Sequence, residues 1–205
     1  MPVVVVANPK GGVGKSTLST QIAGFFASRD HRVMLGDADR QQSSKLWLSL
    51  RPDSAPPISS WELGDDQIGK PPKGTTHVVL DSPAGLRGKL LKEILKRAHK
   101  VVVPLQPSVF DIFATRDFLD ELAERAHATN TQIGIVAMRV DERTRAAEQL
   151  QTFVASTGLP VLGTLRDTQN YVQLAARGLT VFDLPPQRVV RDLEQWQPIC
   201  RWLDA

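Results

Sequence analysis

Ten residues near the start of the chain, Asn8-Pro9-Lys10-Gly11-Gly12-Val13-Gly14-Lys15-Ser16-Thr17, constrain the fold more than any other stretch. They follow the apolar run 3–7 and precede 18–26, where apolar residues recur at helical spacing. The order is buried strand, glycine-rich turn, helix start, and that context makes a phosphate site out of a short motif. Gly11, Gly12 and Gly14 carry no Cβ, so the backbone can curl round an anion and aim successive N–H groups at it. The helix that begins near Lys15 adds the positive end of its dipole. In such a loop Lys15 reaches the β- and γ-phosphates of a nucleotide, and the Ser16 hydroxyl is a Mg²⁺ ligand. A glycine-rich turn without a ligand is the bland alternative. Gly-Lys-Ser placed directly after a strand argues against it.

The ordinary pattern G-x-x-x-x-G-K-[ST] would put its first glycine at position 9, where this chain has Pro9, and a second lysine, Lys10, follows at once. K-G-G-V-G-K-S-T with that early lysine resembles the deviant Walker A loop of the ParA/MinD family of ATPases. The resemblance implies ATP and Mg²⁺ as cofactors, held by Lys10, Gly11, Gly12, Val13, Gly14, Lys15, Ser16 and Thr17. It also implies a homodimer that sandwiches two nucleotides. In that arrangement Lys10 is the trans lysine reaching the other copy's ATP, Lys15 is the cis lysine and Ser16 the metal ligand. Taken alone, Lys10 reads as a solvated loop lysine.

At 205 residues the chain is long enough to bury a sizeable core, and we expect one domain spanning 1–205. The single cysteine, Cys200, cannot form an internal disulfide or build a zinc or iron–sulfur site alone. No apolar run approaches the roughly 20 residues needed to cross a bilayer, and 3–7 is too short for a signal peptide. The expectation is a cytoplasmic protein. Short apolar strands at 3–7, 32–36, 77–80, 101–105, 133–140 and 160–165 alternate with helical patterns at 18–26, 43–50, 86–98, 109–128 and 145–156. The tail 169–203 alternates short helical segments, with Pro198 expected to interrupt the last. Residues 51–76 read as a long loop within the domain, with a short strand at Ile58–Trp61. The fold class is α/β, a doubly wound, mainly parallel sheet with helices on both faces. Ligands in such sheets bind beyond the carboxyl ends of the strands, where the polar clusters of this chain lie.

Two further clusters carry chemistry. Asp37 and Asp39 follow the second strand, and Asp81 ends the strand at 77–80 ahead of Ser82-Pro83-Ala84-Gly85. Each alone is a common turn aspartate. By resemblance Asp39 positions the attacking water, Asp37 supports the magnesium shell, and Asp81 is the Walker B acid that holds Mg²⁺ through water. Gly85 would let its loop respond to the γ-phosphate. Arg40 stands where the family usually has proline, and Met138 where it usually has an asparagine beside the adenine. Arg139 and Pro185 are the implied neighbours of the base. Histidines 31, 77, 99 and 127 show no metal-ligand spacing, and the four tryptophans are too dispersed for a base-stacking platform, so both sets read as structural.

The net charge of +3 says little about partners, but residues 86–100 hold six cations against Glu93 alone. The phosphate loop begins at residue 8, so the sequence resembles small ParA-type proteins that lack a helix-turn-helix extension. The resemblance implies sequence-independent DNA binding by the ATP-bound dimer, nucleoid association in that state, and a ParB-like or other small activating partner. Candidate phosphate contacts are Lys92, Lys96, Arg143, Arg166, Arg188 and Arg191, for each of which a solvated surface role is an equal alternative. A MinD-like membrane-associated ATPase is the rival, and the acids and Pro198 of 190–205 argue against its amphipathic helix. A small-molecule synthetase on the same scaffold is a third reading, with no second acid/base cluster to support it.

Overall fold

A computed structural model describes residues 1–61 and 71–205. Seven strands form one sheet: β1 (Val3–Val6), β2 (Val33–Asp37), β3 (Ile58–Trp61), β4 (His77–Asp81), β5 (Lys100–Leu105), β6 (Gln132–Val140) and β7 (Val161–Arg166). They lie side by side in the order β3-β2-β4-β1-β5-β6-β7, and all six pairings are parallel. The helices are α1 (Lys15–Ala27), α2 (Ser43–Ser49), α3 (Gly88–Leu95), α4 (Val109–Thr129), α5 (Arg145–Thr157), α6 (Gln169–Ala175) and α7 (Val190–Asp204).

Because side chains alternate along a strand, β1 feeds both faces of the sheet. Val3 and Val5 join the core roofed by α3, α4 and α5, while Val4 and Val6 join the core under α1, α2, α6 and α7. A strand covered on both sides is a continuous valine run, and Val3–Val6 is one. The expected doubly wound α/β sheet is thus observed, with every strand among the described residues parallel.

Two features differ from expectation for identifiable reasons. α3 starts at Gly88 and not at Leu86, because Gly85 is left-handed (φ 75°) and Arg87 is extended (φ −154°, ψ 170°), conformations that no helix continues through. Pro198 does not interrupt α7, which runs unbroken from Val190 to Asp204. Trp196, Ile199 and Leu203 on either side of it are buried, and that packing holds the helix across the missing N–H. The short strand expected at Ile58–Trp61 within 51–76 is present and pairs with β2, and residues 62–70 of that stretch lie outside the described residues.

A buried ion pair fixes the carboxyl-terminal third against α2. The Arg51 guanidinium donates to both Asp183 oxygens at 2.8 and 3.0 Å and to the carbonyls of Pro56 and Gly178. Gly178 lies so close that a Cβ there would stand 2.3 Å from the Arg51 backbone nitrogen, so only glycine fits.

At the amino-terminal edge of the sheet, His77 stacks on His31 (ring centroids 3.9 Å) and on Phe26 (4.5 Å). Burial, then His31 and the chain's amino terminus, push the His77 pKa from 6.5 down to about 4. Neutral in the folded chain and protonated in the unfolded one, His77 favours unfolding as pH falls from about 6.5 to about 4. After allowance for its partial exposure, stability should drop by about 1 kcal/mol between pH 7 and pH 5. Urea unfolding at the two pH values checks this. His77→Gln should flatten the slope, and an unchanged slope would count against the assignment.

Candidate nucleotide site

The sheet brings the three polar clusters together at one edge. β4 lies between β2 and β1, and the pairing places Asp81 level with Asp37 on one side and Val6 on the other. The glycine loop leaves β1 two residues later and enters α1 at Lys15, with Gly14 in a left-handed conformation (φ 95°) just ahead of the helix.

The loop is anchored by the residue before Pro9. Asn8 is fully buried; its Nδ2 donates to Pro104 O (2.9 Å) and Thr115 Oγ1 (3.3 Å), and its Oδ1 accepts from Lys10 N (2.8 Å). Gln106 Nε2 donates to Gly12 O. The Lys15 ammonium is largely buried and donates to Lys10 O at 2.7 Å. Burial lowers its pKa, while Asp81 and Asp39 oppose the shift. A desolvated cation folded over an arc of glycines is suited to a polyphosphate, which supplies the counter-charge that a carbonyl supplies only weakly.

The acids divide the work. Both Asp37 oxygens are taken: Oδ2 accepts from Ser44 N (2.8 Å) and Lys45 N (3.1 Å), and Oδ1 from Asp39 N (3.0 Å). Asp37 therefore anchors the amino terminus of α2 beside Asp81. Asp39 joins two loops, accepting from Gln41 N (2.9 Å) and, across to the loop after β4, from Ala84 N (3.0 Å). Gly85 N closes the same loop onto Pro9 O at 2.7 Å.

Asp81 is fully buried. Its Oδ2 accepts from Ser44 Oγ at 2.7 Å, and its Oδ1 has no hydrogen-bond partner among the described residues. Burial raises its pKa to about 6, against the pull of Ser16, Ser44 and Lys15. A buried carboxylate oxygen without a donor, next to a serine hydroxyl at a phosphate loop, matches the needs of a hard divalent cation. Ser16 and Asp81 are the residues that would hold Mg²⁺, and the ion would neutralise charge between the phosphates.

Lys10 does not extend into solvent. Its ammonium pairs with the Asp111 carboxylate in the first turn of α4, a contact between residues 101 positions apart that nothing local announces. Met138 is buried at the end of β6 against Gly14, with its Cε 2.9 Å from where a Cβ on that glycine would stand. Arg139 follows in a left-handed conformation (φ 51°), exposed, where the β6–β7 pairing loses register. Pro185 is exposed between the short helical turns Val181–Asp183 and Pro186–Arg188.

The basic candidates do not form one set. Lys92 is exposed on α3 and Lys96 pairs with Glu93. Arg143 pairs with Asp141, and Arg166 makes two bonds to the buried Asp192. Arg188 and Arg191 are exposed where α7 begins.

Fold and site define a phosphate-loop nucleotide-binding protein of the deviant type. The chain belongs to the CobQ/CobB/MinD/ParA nucleotide-binding domain family, whose model matches residues 4–181. It is 30% identical over 189 residues to the maintenance of carboxysome distribution protein A of Halothiobacillus neapolitanus, covering 88% of this chain and 87% of that one. It is 26% identical to the chromosome-partitioning ATPase Soj of Thermus thermophilus, covering 72% of this chain and 73% of that one. Among solved structures it resembles the MinD cell division protein of Aquifex aeolicus, with a TM-score of 0.74 at 17% identity over 99% of this chain and 96% of that one.

Sequence reasoning missed Asn8, Ser44 and Asp111. Asn8 had a signal in its place at the mouth of the loop. The other two are defined by contacts across the fold.

Proposed function

We propose that this chain is a Mg²⁺-dependent ATPase that closes on ATP as a sandwich homodimer, binds DNA without regard to sequence in that state, and positions a cargo. The observation that carries the reading is the placement of Lys10, Lys15, Ser16, Asp39 and Asp81 around one glycine loop. Lys15 and Lys10 neutralise phosphate charge, one within the chain and one across the dimer. Ser16 and Asp81 hold the metal, with Asp37 behind them, and Asp39 orients the water. Arg139 and Pro185 flank the base. Hydrolysis is slow until a small ParB-like or other partner protein engages. The names of the relatives, one for carboxysome distribution and one for chromosome partitioning, support a cargo that is either DNA or a protein assembly; in this reading the protein works in the cytoplasm and sits on the nucleoid when ATP is bound.

DNA binding rests on the exposed cations. No ion pair is recorded for Lys92, Arg188 or Arg191 among the described residues, whereas Arg143, Arg166 and Lys96 are each paired, so the first three are the stronger phosphate contacts. The membrane reading is weakened because Trp196, Ile199 and Leu203, the apolar face of α7, are spent on the core, and among the described residues no helix is long and apolar enough to cross a bilayer.

Gel shifts with unrelated duplexes test this. Affinities should agree within about threefold between sequences, fall at least tenfold from 50 to 200 mM salt, and disappear with ADP. Lys10→Ala should remove the ATP dependence along with the dimer. Binding that ignores nucleotide, or ATP-dependent sedimentation with anionic vesicles in place of DNA, would overturn the DNA reading.

A further inference from the structure

The first turn of α4 carries an apolar patch. Phe110 is 79% exposed and Phe113 66%, and the two stand three residues apart on one helix face, with the half-exposed Val109 beside them. Isolated exposed apolar residues need no explanation, but two phenylalanines on adjacent turns form a patch.

This turn is stapled to the phosphate loop. Asn8 joins Pro104 and Thr115, the Thr115 hydroxyl donates to Asp111 O at 2.7 Å, Asn8 accepts from Lys10 N, and the Lys10 ammonium ends on the Asp111 carboxylate. The helical turn that carries the two rings is therefore held in fixed relation to the phosphate loop, so the backbone beneath the patch needs no ordering to bind. Asp111, which follows Phe110 in the chain, is itself mostly buried and ties the Lys10 ammonium to the turn that carries both rings.

We propose that Phe110 and Phe113 are the apolar part of the surface on which a second copy of this chain docks in the ATP state, with Asp111 holding Lys10 ready at its rim. The inference rests on the sandwich-dimer reading above and adds to it the surface and the holding residue. The occupant follows from continuity and charge. Whatever Lys10 enters is brought against Phe110 and Phe113, and the complement of Lys10 is a phosphate site loaded with a triphosphate, which a second copy supplies. Asp111 competes with that phosphate for the ammonium. It is a positioning residue and a brake on docking.

The test uses the Asp39→Ala protein, which is expected to bind nucleotide without turning it over. Sedimentation with ATP reads the dimer, and ADP affinity reads the intact loop of the single chain. Phe110→Ser with Phe113→Ser should weaken the dimer roughly tenfold to thirtyfold, with ADP affinity within about twofold of the parent. Phe110→Leu with Phe113→Leu, which keeps much of the apolar area, should recover most of the loss. Asp111→Asn should tighten the dimer severalfold, an effect that a merely structural role for Asp111 would not produce. A parent that stays monomeric with ATP overturns the dimer reading and this surface together. A parent that dimerises while the serine pair dimerises equally well overturns the surface alone. ADP binding lost in both pairs would place the rings in the packing of the loop itself and overturn the proposal as well.

Discussion

Lys15→Ala is expected to abolish nucleotide binding while leaving the fold in place. The ammonium is mostly buried, its only hydrogen bond among the described residues is to the Lys10 carbonyl, and burial already disfavours its charge. In the unliganded chain its removal relieves a desolvated cation, so the apo thermal midpoint should move by only a few degrees. With nucleotide the situation reverses, because a charge-assisted contact in a dry site is lost. At about 3 kcal/mol for that contact the Kd rises at least a hundredfold. Thermal shift reads both quantities. ATP at about a hundred times the parent's Kd should stabilise the parent by about 2.7 kcal/mol and the variant hardly at all. A variant still stabilised by ATP as much as the parent would remove Lys15 from the phosphate site.

Asp39→Ala is expected to separate binding from turnover. Asp39 touches neither Lys15 nor Ser16 by hydrogen bond; it accepts from Gln41 N and Ala84 N and so faces the gap between the loops after β2 and β4. A carboxylate there can orient a water aimed at the terminal phosphate, and loss of such a group costs about 10²–10⁴-fold in rate. ATP affinity should stay within a few fold. Asp39→Asn distinguishes this from a scaffolding role, since an amide oxygen can still accept from Ala84 N but cannot take a proton. If Asn restores hydrolysis, Asp39 serves as a loop staple. If both variants hydrolyse ATP at the parent rate, the assignment of the water fails.

The parts of this site that were legible in the sequence are those whose chemistry is local. Glycines at 11, 12 and 14 next to Lys15 and Ser16 require a tight turn between strand and helix, and that is what β1 and α1 enclose. Asp37 and Asp81 were legible as strand ends because valine- and leucine-rich runs stop at them. What was not legible is long-range pairing. Nothing near Lys10 announces Asp111, nothing near Asp81 announces Ser44, and Arg166 looks like a free surface cation until Asp192 is seen beneath it. Pro198 misled because a local rule about helices was overridden by burial of Trp196 and Ile199 around it.

The order of the strands has a consequence for how the chain is made. β1 leaves the ribosome first, yet its neighbours in the sheet are β4 and β5, so Val3 pairs with Val78, and the Val3 amide is capped by His99, 96 positions away. Contacts of that separation are slow to form, and at about 5–20 residues per second the second of them arrives only after roughly 5–20 s of synthesis. During that interval the valine run of β1 has no sheet to enter. Asn8 cannot reach Pro104, and the glycine loop lacks its anchor. The first of these strands to be synthesised is thus among the last to acquire its native surroundings, and the nascent chain must keep four consecutive valines out of wrong pairings until β5 has emerged.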